Sequence, residues 1–396
     1  MSVTTASGFL ACGLAAGLKS SGGKDLALVV NTGPHYAAAG VFTTNRVKAA
    51  PVLWSEQVLA DAQLQAVILN SGGANACTGP EGFADTHRTA ELVADALRQA
   101  QGAAKAAPDK DIGAIDVAVC STGLIGTRLP MRKLTAALGD LVPLLSQDGG
   151  QAAAEAILTT DSVSKQTSYA DEGWSIGGMA KGAGMLAPGL ATMLVVLTTD
   201  AVVETDQLHS QLSSACRRSF ERIDSDGCMS TNDTVILMSS GASGVRATPG
   251  DFQAALDETC HDLALQLLAD AEGASHTIAI HVEHAASEDD AVQVGRAIAR
   301  SNLFKCAVFG QDPNWGRVLA AIGTTTAEFE PECIDVSFNG VRVCRDGSIG
   351  EPRELVDLSG HDVQVHVDLR NGRHSATVWT NDLTYDYVEE NAEYST

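Results

Sequence analysis

Positive charge is what this chain has least of: 26 Lys and Arg stand against 49 Asp and Glu, a formal net charge of -23 at pH 7. So acidic a chain offers no electrostatic footprint to nucleic acid or to an anionic membrane surface, and neither is expected as a partner. A small anionic substrate stays compatible, because a pocket can be basic locally. Cysteine pairs are also missing. The nine cysteines include no Cys-x-x-Cys, so zinc ribbons and disulfide frameworks lack their spacing, and reduced, mostly buried thiols are expected. No apolar run approaches the ~20 residues of a membrane span. There is no Walker loop and no Gly-x-Ser-x-Gly elbow. The opening segment has no early positive charge and its apolar run is broken by glycines, which makes a poor signal peptide. The expectation is a soluble, cytoplasmic protein. What the chain does have is apolar content, 45% against 19% charged residues over 396 positions, enough for a sizeable core in two lobes.

Short apolar strands alternate with Gly-rich loops and helices. Residues 25–30, 38–44, 64–70 and 114–120 read as strands, and 81–101 as an amphipathic helix with acids early and Arg98 late. Two further helices are expected over roughly 130–146 and 150–158. In the second half, 192–197, 232–240 and 276–285 read as strands, 205–220 as a helix, and a long helix runs to a stop at Gly273. Ser287 opens another helix with a capping pattern. In the β-rich tail, Asn339-Gly340 and Asn371-Gly372 each sit between alternating runs, the strongest short hairpin signal. The fold class expected is α/β, a layered α/β sandwich with mixed sheets rather than a doubly wound parallel sheet.

Four small-residue or polar loops flank these elements: 70–79 (NSGGANACTG), 121–126 (STGLIG), 181–192 (KGAGMLAPGLAT) and 312–317 (DPNWGR). Thr122 and Gly123 can offer backbone N–H groups where a glycine lets the main chain approach a ligand, as an oxyanion hole requires. They can equally form a strand-ending turn. Lys181 reads as a carboxylate ligand or as a solvated surface charge. Thr192 opens a strand after a Gly-Pro loop. A threonine with a free α-amine carries its own base, so scission of the Ala191–Thr192 bond would create an activated nucleophile. The plainer reading is a strand-starting threonine of good β-propensity. His276, His281 and His284 lie close together beside Glu283, but in an alternating strand His281 and His284 face opposite ways, and no ligand spacing is completed elsewhere. No metal is expected.

Taken together, the segments MAKGAGMLAPGLATML, AAGVFTTNRVKAAPV (38–52), STGLIG, TTDS (159–162), SFERIDSDG with STNDT (219–234), DPNWGR and ENAEYST (390–396) resemble, in order and over essentially the whole chain, the ornithine acetyltransferase family, the glutamate N-acetyltransferases of the cyclic arginine pathway. Gly73, where Asn is more usual, and Cys228-Met229, where small polar residues are common, depart from the pattern. The resemblance implies a self-cleaving, N-terminal-threonine-nucleophile transferase. An α chain (1–191) and a β chain (192–396) would assemble as two of each. It implies Thr192 as nucleophile, Ala191 and Thr192 as the cleavage site, and Thr122 and Gly123 as the oxyanion pair. Thr159 (or its neighbour Thr160), Lys181, Thr192, Glu272, Asn391 and Thr396 match substrate-binding positions. The implied reaction is a ping-pong acetyl transfer from N-acetylornithine to glutamate, which needs no cofactor; acetyl-CoA as a second donor stays open. The alternatives are an N-terminal-nucleophile amidohydrolase or aminopeptidase, with water as acceptor, and a small-molecule binding protein that never processes.

Overall fold

The continuous apolar runs of the first half become strands buried on both faces, and the alternating runs of the tail become strands buried on one. In this computed structural model, residues 2–100, 111–187 and 193–393 are described. The chain divides into two bodies. The first comprises Met1–Ala183, Gly189–Phe220 and Met229–Leu267; the second comprises Gly184–Pro188, Glu221–Cys228 and Leu268–Thr396.

The first body holds two mixed sheets. Strands β1 (Phe9–Leu14), β2 (Leu26–Asn31), β4 (Ala66–Asn70) and β5 (Val117–Ser121) form one in the order β1-β2-β4-β5, with only β4 and β5 parallel. Strands β3 (Ala37–Phe42), β6 (Lys165–Asp171), β7 (Trp174–Lys181), β8 (Leu194–Thr199) and β9 (Thr234–Ser239) form the other in the order β3-β9-β8-β7-β6, with only β8 and β9 parallel. Val29, Ile68 and Val119 of the first sheet and Met179, Val196 and Ile236 of the second belong to one apolar core. Helix α1 (Ala50–Val58) covers the β5 edge: Trp54 Nε1 donates to the Val117 carbonyl at 3.0 Å and the Ser55 hydroxyl to the Val119 carbonyl at 2.8 Å. An edge left bare would present unpaired backbone groups. Helix α2 (Gly79–Ala100) buries Thr86, Thr89, Ala90, Val93, Ala94 and Leu97, the helical stripe that its sequence spacing predicts. Helices α3 (Met131–Leu141), α4 (Gly150–Ala156), α5 (Thr205–Arg218) and α6 (Pro249–Ala269) complete the layers. Phe252 of α6 stacks against Trp174 of β7 with ring centroids 5.8 Å apart.

The second body is built on one six-stranded sheet. Strands β10 (Thr277–Ala285), β11 (Asp335–Phe338), β12 (Val341–Arg345), β13 (Ser348–Ile349), β14 (Asp362–Asp368) and β15 (His374–Asn381) take the order β13-β12-β11-β14-β10-β15, with only β10 and β14 parallel. Ile278, Ile280 and Val282 of β10 and Val363, Val365 and Val367 of β14 share a core with Val294 and Ile298 of α7 (Glu288–Ala299), Phe304 of α8 (Asn302–Phe309) and Val318 of α9 (Trp315–Ile322). The opposite face of the sheet stays part-exposed. Helix α10 (Tyr385–Glu393) closes the described chain. Ser287 caps α7 as its sequence predicts, accepting from the Asp290 N–H at 3.1 Å. No helix among the described residues is long and apolar enough to cross a membrane.

The layered α/β architecture with mixed sheets agrees with the sequence, but some elements differ. Asn339-Gly340 makes the expected tight hairpin between β11 and β12, with φ of +44° and +87°. Asn371-Gly372 does not: β14 and β15 flank β10 and never pair with each other. Gly372 serves a different need. A Cβ there would lie 2.1 Å from the Ala285 carbonyl oxygen, so the connection needs a glycine to pass the end of β10. Strands β1, β6 and β7 were not anticipated. In β7 every residue is buried, and its two glycines erase any alternation. The long helix ends at Ala269, short of Gly273, and the strand expected from Thr192 begins at Leu194.

Candidate active site

Loop 121–126 follows β5. The Thr122 N–H donates to the Asn70 carbonyl at 2.9 Å, extending the β4–β5 pairing, so that N–H is already spent. No described residue accepts from the Gly123 N–H. Gly123 has φ of +127°, and a Cβ there would sit 2.8 Å from the Gly73 nitrogen; only glycine fits. The donors that Thr122 and Gly123 can still offer are therefore the Thr122 hydroxyl and the Gly123 N–H, not a pair of backbone N–H groups.

Lys181 ends β7 and is 1% exposed, which rules out the solvated-charge reading. Its Nζ donates to the Thr159 hydroxyl at 2.7 Å and to the Thr122 hydroxyl at 3.3 Å. Because the cation donates to both oxygens, each hydroxyl hydrogen is left to point elsewhere. Of the two threonines in TTDS, Thr159 makes this contact and Thr160 is exposed.

Asp161, in the same tetrad, was missed in the sequence. Its carboxylate takes Lys165 Nζ at 2.7 Å, the Gly182 N–H at 2.5 Å and the Thr159 N–H at 3.0 Å, with Lys181 Nζ at 3.9 Å. Burial opposes its charge, but Lys181 and Lys165 overcome that and hold its pKa down to about 2. Lys19 feels the same field: burial and Lys181 lower its pKa against the opposing pull of Asp25 and Asp161. Three lysines thus gather in a chain of net charge -23. The signal that could have found Asp161 is the spacing: Asp161 and Lys165 are an i,i+4 pair.

Asp233 of the STNDT segment is fully buried, and burial raises its pKa well above the usual carboxylate range. Oδ1 accepts from the Met193 N–H at 3.1 Å, while Oδ2 has no partner among the described residues. Met193 is the residue after Thr192. Ala191, Thr192 and Thr396 themselves lie outside the described residues.

Glu272 and Asn391 come together in the second body: Asn391 Nδ2 donates to Glu272 Oε2 at 3.0 Å. Gly184, in the KGAG motif, lets this happen, since a Cβ there would lie 2.5 Å from the Glu272 carboxylate. Glu272 lines a cavity of about 350 Å³ with Asp226, Asp382, Arg300, Lys305 and Tyr387. Lys305 donates to the Ser225 carbonyl and, at 3.1 Å, to the Thr380 hydroxyl; burial lowers its pKa to about 8. Burial likewise raises Asp226, and burial with Asp226 and Glu272 raises Tyr387 to about 12. None of these cavity partners of Glu272 was singled out in the sequence, because they come from segments far apart in it. The DPNWGR loop, by contrast, is a helix start: the Asn314 side chain accepts from the Arg317 N–H at 3.2 Å and caps α9.

A model of the ArgJ family matches residues 10–396. The arginine biosynthesis bifunctional protein ArgJ of Streptomyces coelicolor is 60% identical over 395 residues, covering 100% of both chains. That of Thermobifida fusca is 59% identical over 396 residues, again covering 100% of both. A solved structure of ornithine acetyltransferase from Mycobacterium tuberculosis, complexed with ornithine, is 58% identical and covers 49% of this chain and 96% of that one, with a TM-score of 0.45. With a family model and full-length relatives agreeing over nearly every residue, the chain belongs to the ArgJ family of arginine-biosynthesis transferases.

Proposed function

We propose that this ArgJ-family enzyme cuts its own chain between Ala191 and Thr192 and then carries the acetyl group of N-acetylornithine to glutamate as an ester on Thr192. The observation that carries the reading is the set of buried Lys181 and Thr122 with half-buried Thr159 and Gly123, in which a cation bridges two hydroxyls and one N–H has no described acceptor. In the cut, the Thr192 hydroxyl attacks the Ala191 carbonyl carbon and the peptide nitrogen leaves, so an ester replaces the amide. The departing nitrogen, which takes the hydroxyl proton, is the α-amine of Thr192; water then hydrolyses the ester, giving the Ala191 carboxylate and restoring the Thr192 hydroxyl. Asp233, whose pKa burial raises well above the usual carboxylate range, anchors the next residue through the Met193 N–H.

In the transfer, the freed α-amine takes the Thr192 hydroxyl proton as the oxygen attacks the acetyl carbonyl. Negative charge develops on the carbonyl oxygen. The Gly123 N–H and the Thr122 hydroxyl, polarised by Lys181, are the donors suited to it. Ornithine leaves with the proton, and the amine of glutamate attacks the acetyl ester in the reverse of the same step. The three lysines give the α-carboxylate of both amino acids a locally positive field. The cavity carrying Glu272 offers carboxylates to an ammonium and Arg300 and Lys305 to a carboxylate, the chemistry that the charged groups of an amino acid require. Asn391 steadies Glu272, and Thr396 joins the substrate contacts on the family pattern.

The cut would leave β7 on one chain and β8 on the other, antiparallel neighbours in one sheet from Ile176↔Thr199 to Lys181↔Leu194. The α and β chains would then stay joined, two of each forming the assembled enzyme. Thr192→Ala tests the reading: intact mass should show one uncut chain, and acetyl transfer from N-acetylornithine to glutamate should be absent. Two fragments from that variant would remove Thr192 from both roles. Acetyl release without glutamate at the full rate would favour a hydrolase, and acetyl-CoA in the same panel tests a second donor.

A further inference from the structure

The part-exposed face of the six-stranded sheet gathers a different chemistry. Histidine 281 of β10 and His366 of β14 are direct partners in the parallel register, and their rings stack with centroids 5.3 Å apart at 22°. Glu283, two residues along β10, points to the same face. Its Oε1 lies 3.3 Å from His366 Nε2. The ligand atoms of His281, Glu283 and His366 all lie within 4.8 Å of one another. His281 Nδ1 is held by the Thr377 hydroxyl of β15 at 3.0 Å, which fixes the ring and leaves Nε2 for another partner.

His284 departs from the sequence reading. The pairing of β10 with β15 shifts between Val282 and Ala285, and His284 takes φ of +52°. Such a bulge re-aims a side chain. The imidazole comes within 3.7 Å of Glu283 and 2.8 Å of Asp368, so a second trio, Glu283, His284 and Asp368, shares Glu283 with the first. Positive φ on a histidine is uncommon and marks backbone held by its surroundings.

We infer that His281, Glu283 and His366 form a binding site for a divalent transition metal of the zinc class, with Thr377 orienting His281 and the Glu283–His284–Asp368 trio supporting the carboxylate. The inference rests on the second body alone and is independent of the acetyl-transfer reading. Two imidazoles with one carboxylate suit Zn²⁺ and its neighbours rather than Mg²⁺ or Ca²⁺. A tetrahedral ion with bonds of ~2.0–2.1 Å holds its ligand atoms ~3.4 Å apart, so side-chain rotations on the exposed face suffice to close the present spacing. The ligating imidazoles must be neutral, so uptake should weaken as pH falls. A bound ion would clip β10 to β14 across their one parallel pairing.

The test is Zn²⁺ titration of the full enzyme by equilibrium dialysis, with Co²⁺ absorption as a report on coordination. One saturable equivalent per chain is expected. His281→Ala and His366→Ala should each abolish it, and Thr377→Val should weaken it by about 10-fold, as loss of an orienting hydrogen bond does. His361→Ala, on the exposed pair with Asp362, should leave it unchanged. His366→Gln, close in shape, keeps the test decisive if an alanine variant fails to fold. Uptake that does not saturate, or that survives His281→Ala combined with His366→Gln, overturns the inference.

Discussion

Around Asp161 in the first body, burial competes with ion pairing and pairing prevails; around Lys305 and Asp226 in the second, burial prevails. Asp161 has Lys165 Nζ at 2.7 Å, Lys181 at 3.9 Å and two backbone N–H donors, and its pKa falls to about 2. Among the described residues Lys305 donates to a carbonyl and a hydroxyl, and burial takes its pKa down to about 8 against the pull of Asp226, Asp224 and Asp382. Asp226 is raised by the same dryness in spite of backbone donors. A directly paired charge is fixed in one state and serves as scaffold. A charge that donates to neutral acceptors, with its carboxylates farther off, is less firmly held, and a charged ligand can tip it. The first region thus holds a constant field, and the second a set of charges that an added charge can shift.

The hardest blow to the contrast is Asp161→Asn. It removes the Asp161 carboxylate from the buried Lys165 and Lys181, and a broken buried pair typically costs ~3–5 kcal/mol. Urea unfolding should show a loss of that order at pH 7. Because the folded pKa of Asp161, about 2, lies below the ordinary ~3.9, its contribution is complete above ~4 and fades as pH falls toward 2. The Asn variant should lack that acid limb. A smaller effect on stability, but a large one on rate, is expected from Thr122→Ala. Loss of one oxyanion donor should lower kcat about 10²-fold with KM less affected. A raised KM at unchanged kcat would make Thr122 a binding residue. The mildest is Glu272→Gln, which removes a charge-assisted contact of ~1.5–3 kcal/mol, or about tenfold to a hundredfold in kcat/KM for N-acetylornithine. N-acetylglutamate in the reverse direction should suffer less. Equal losses would show that Glu272 serves the fold or the shared amino-acid end, and the contrast between the two regions would weaken.

Much of the first body was legible because its strands and helices advertise themselves locally. The runs at 25–30, 64–70 and 232–240 became β2, β4 and β9, and the stripe of α2 lies where its periodicity placed it. Strand β7 was not legible, because a segment buried on every residue with glycines inside it has neither alternation nor β-branched density. The site residues were legible as positions, through motif resemblance, but not as an arrangement. The burial of Lys181, its bridge between Thr159 and Thr122, and the pairing of the Thr122 N–H with Asn70 are absent from any local pattern.

The sequence alone determined the α/β class, most element positions, the family and the residue types on which the chemistry depends. Each of these is carried by periodicity, turn chemistry or motif, which act over a few neighbouring residues. Only the tertiary structure decided that Asn339-Gly340 closes a hairpin while Asn371-Gly372 crosses the end of another strand. It alone put Thr159 rather than Thr160 against Lys181, placed Asp161 among lysines, set Glu272 against Gly184, and turned His284 toward Glu283 through a bulge. Strand order, backbone close approach and the dielectric around a charge depend on what the fold brings from far along the chain, and no stretch of sequence carries that by itself.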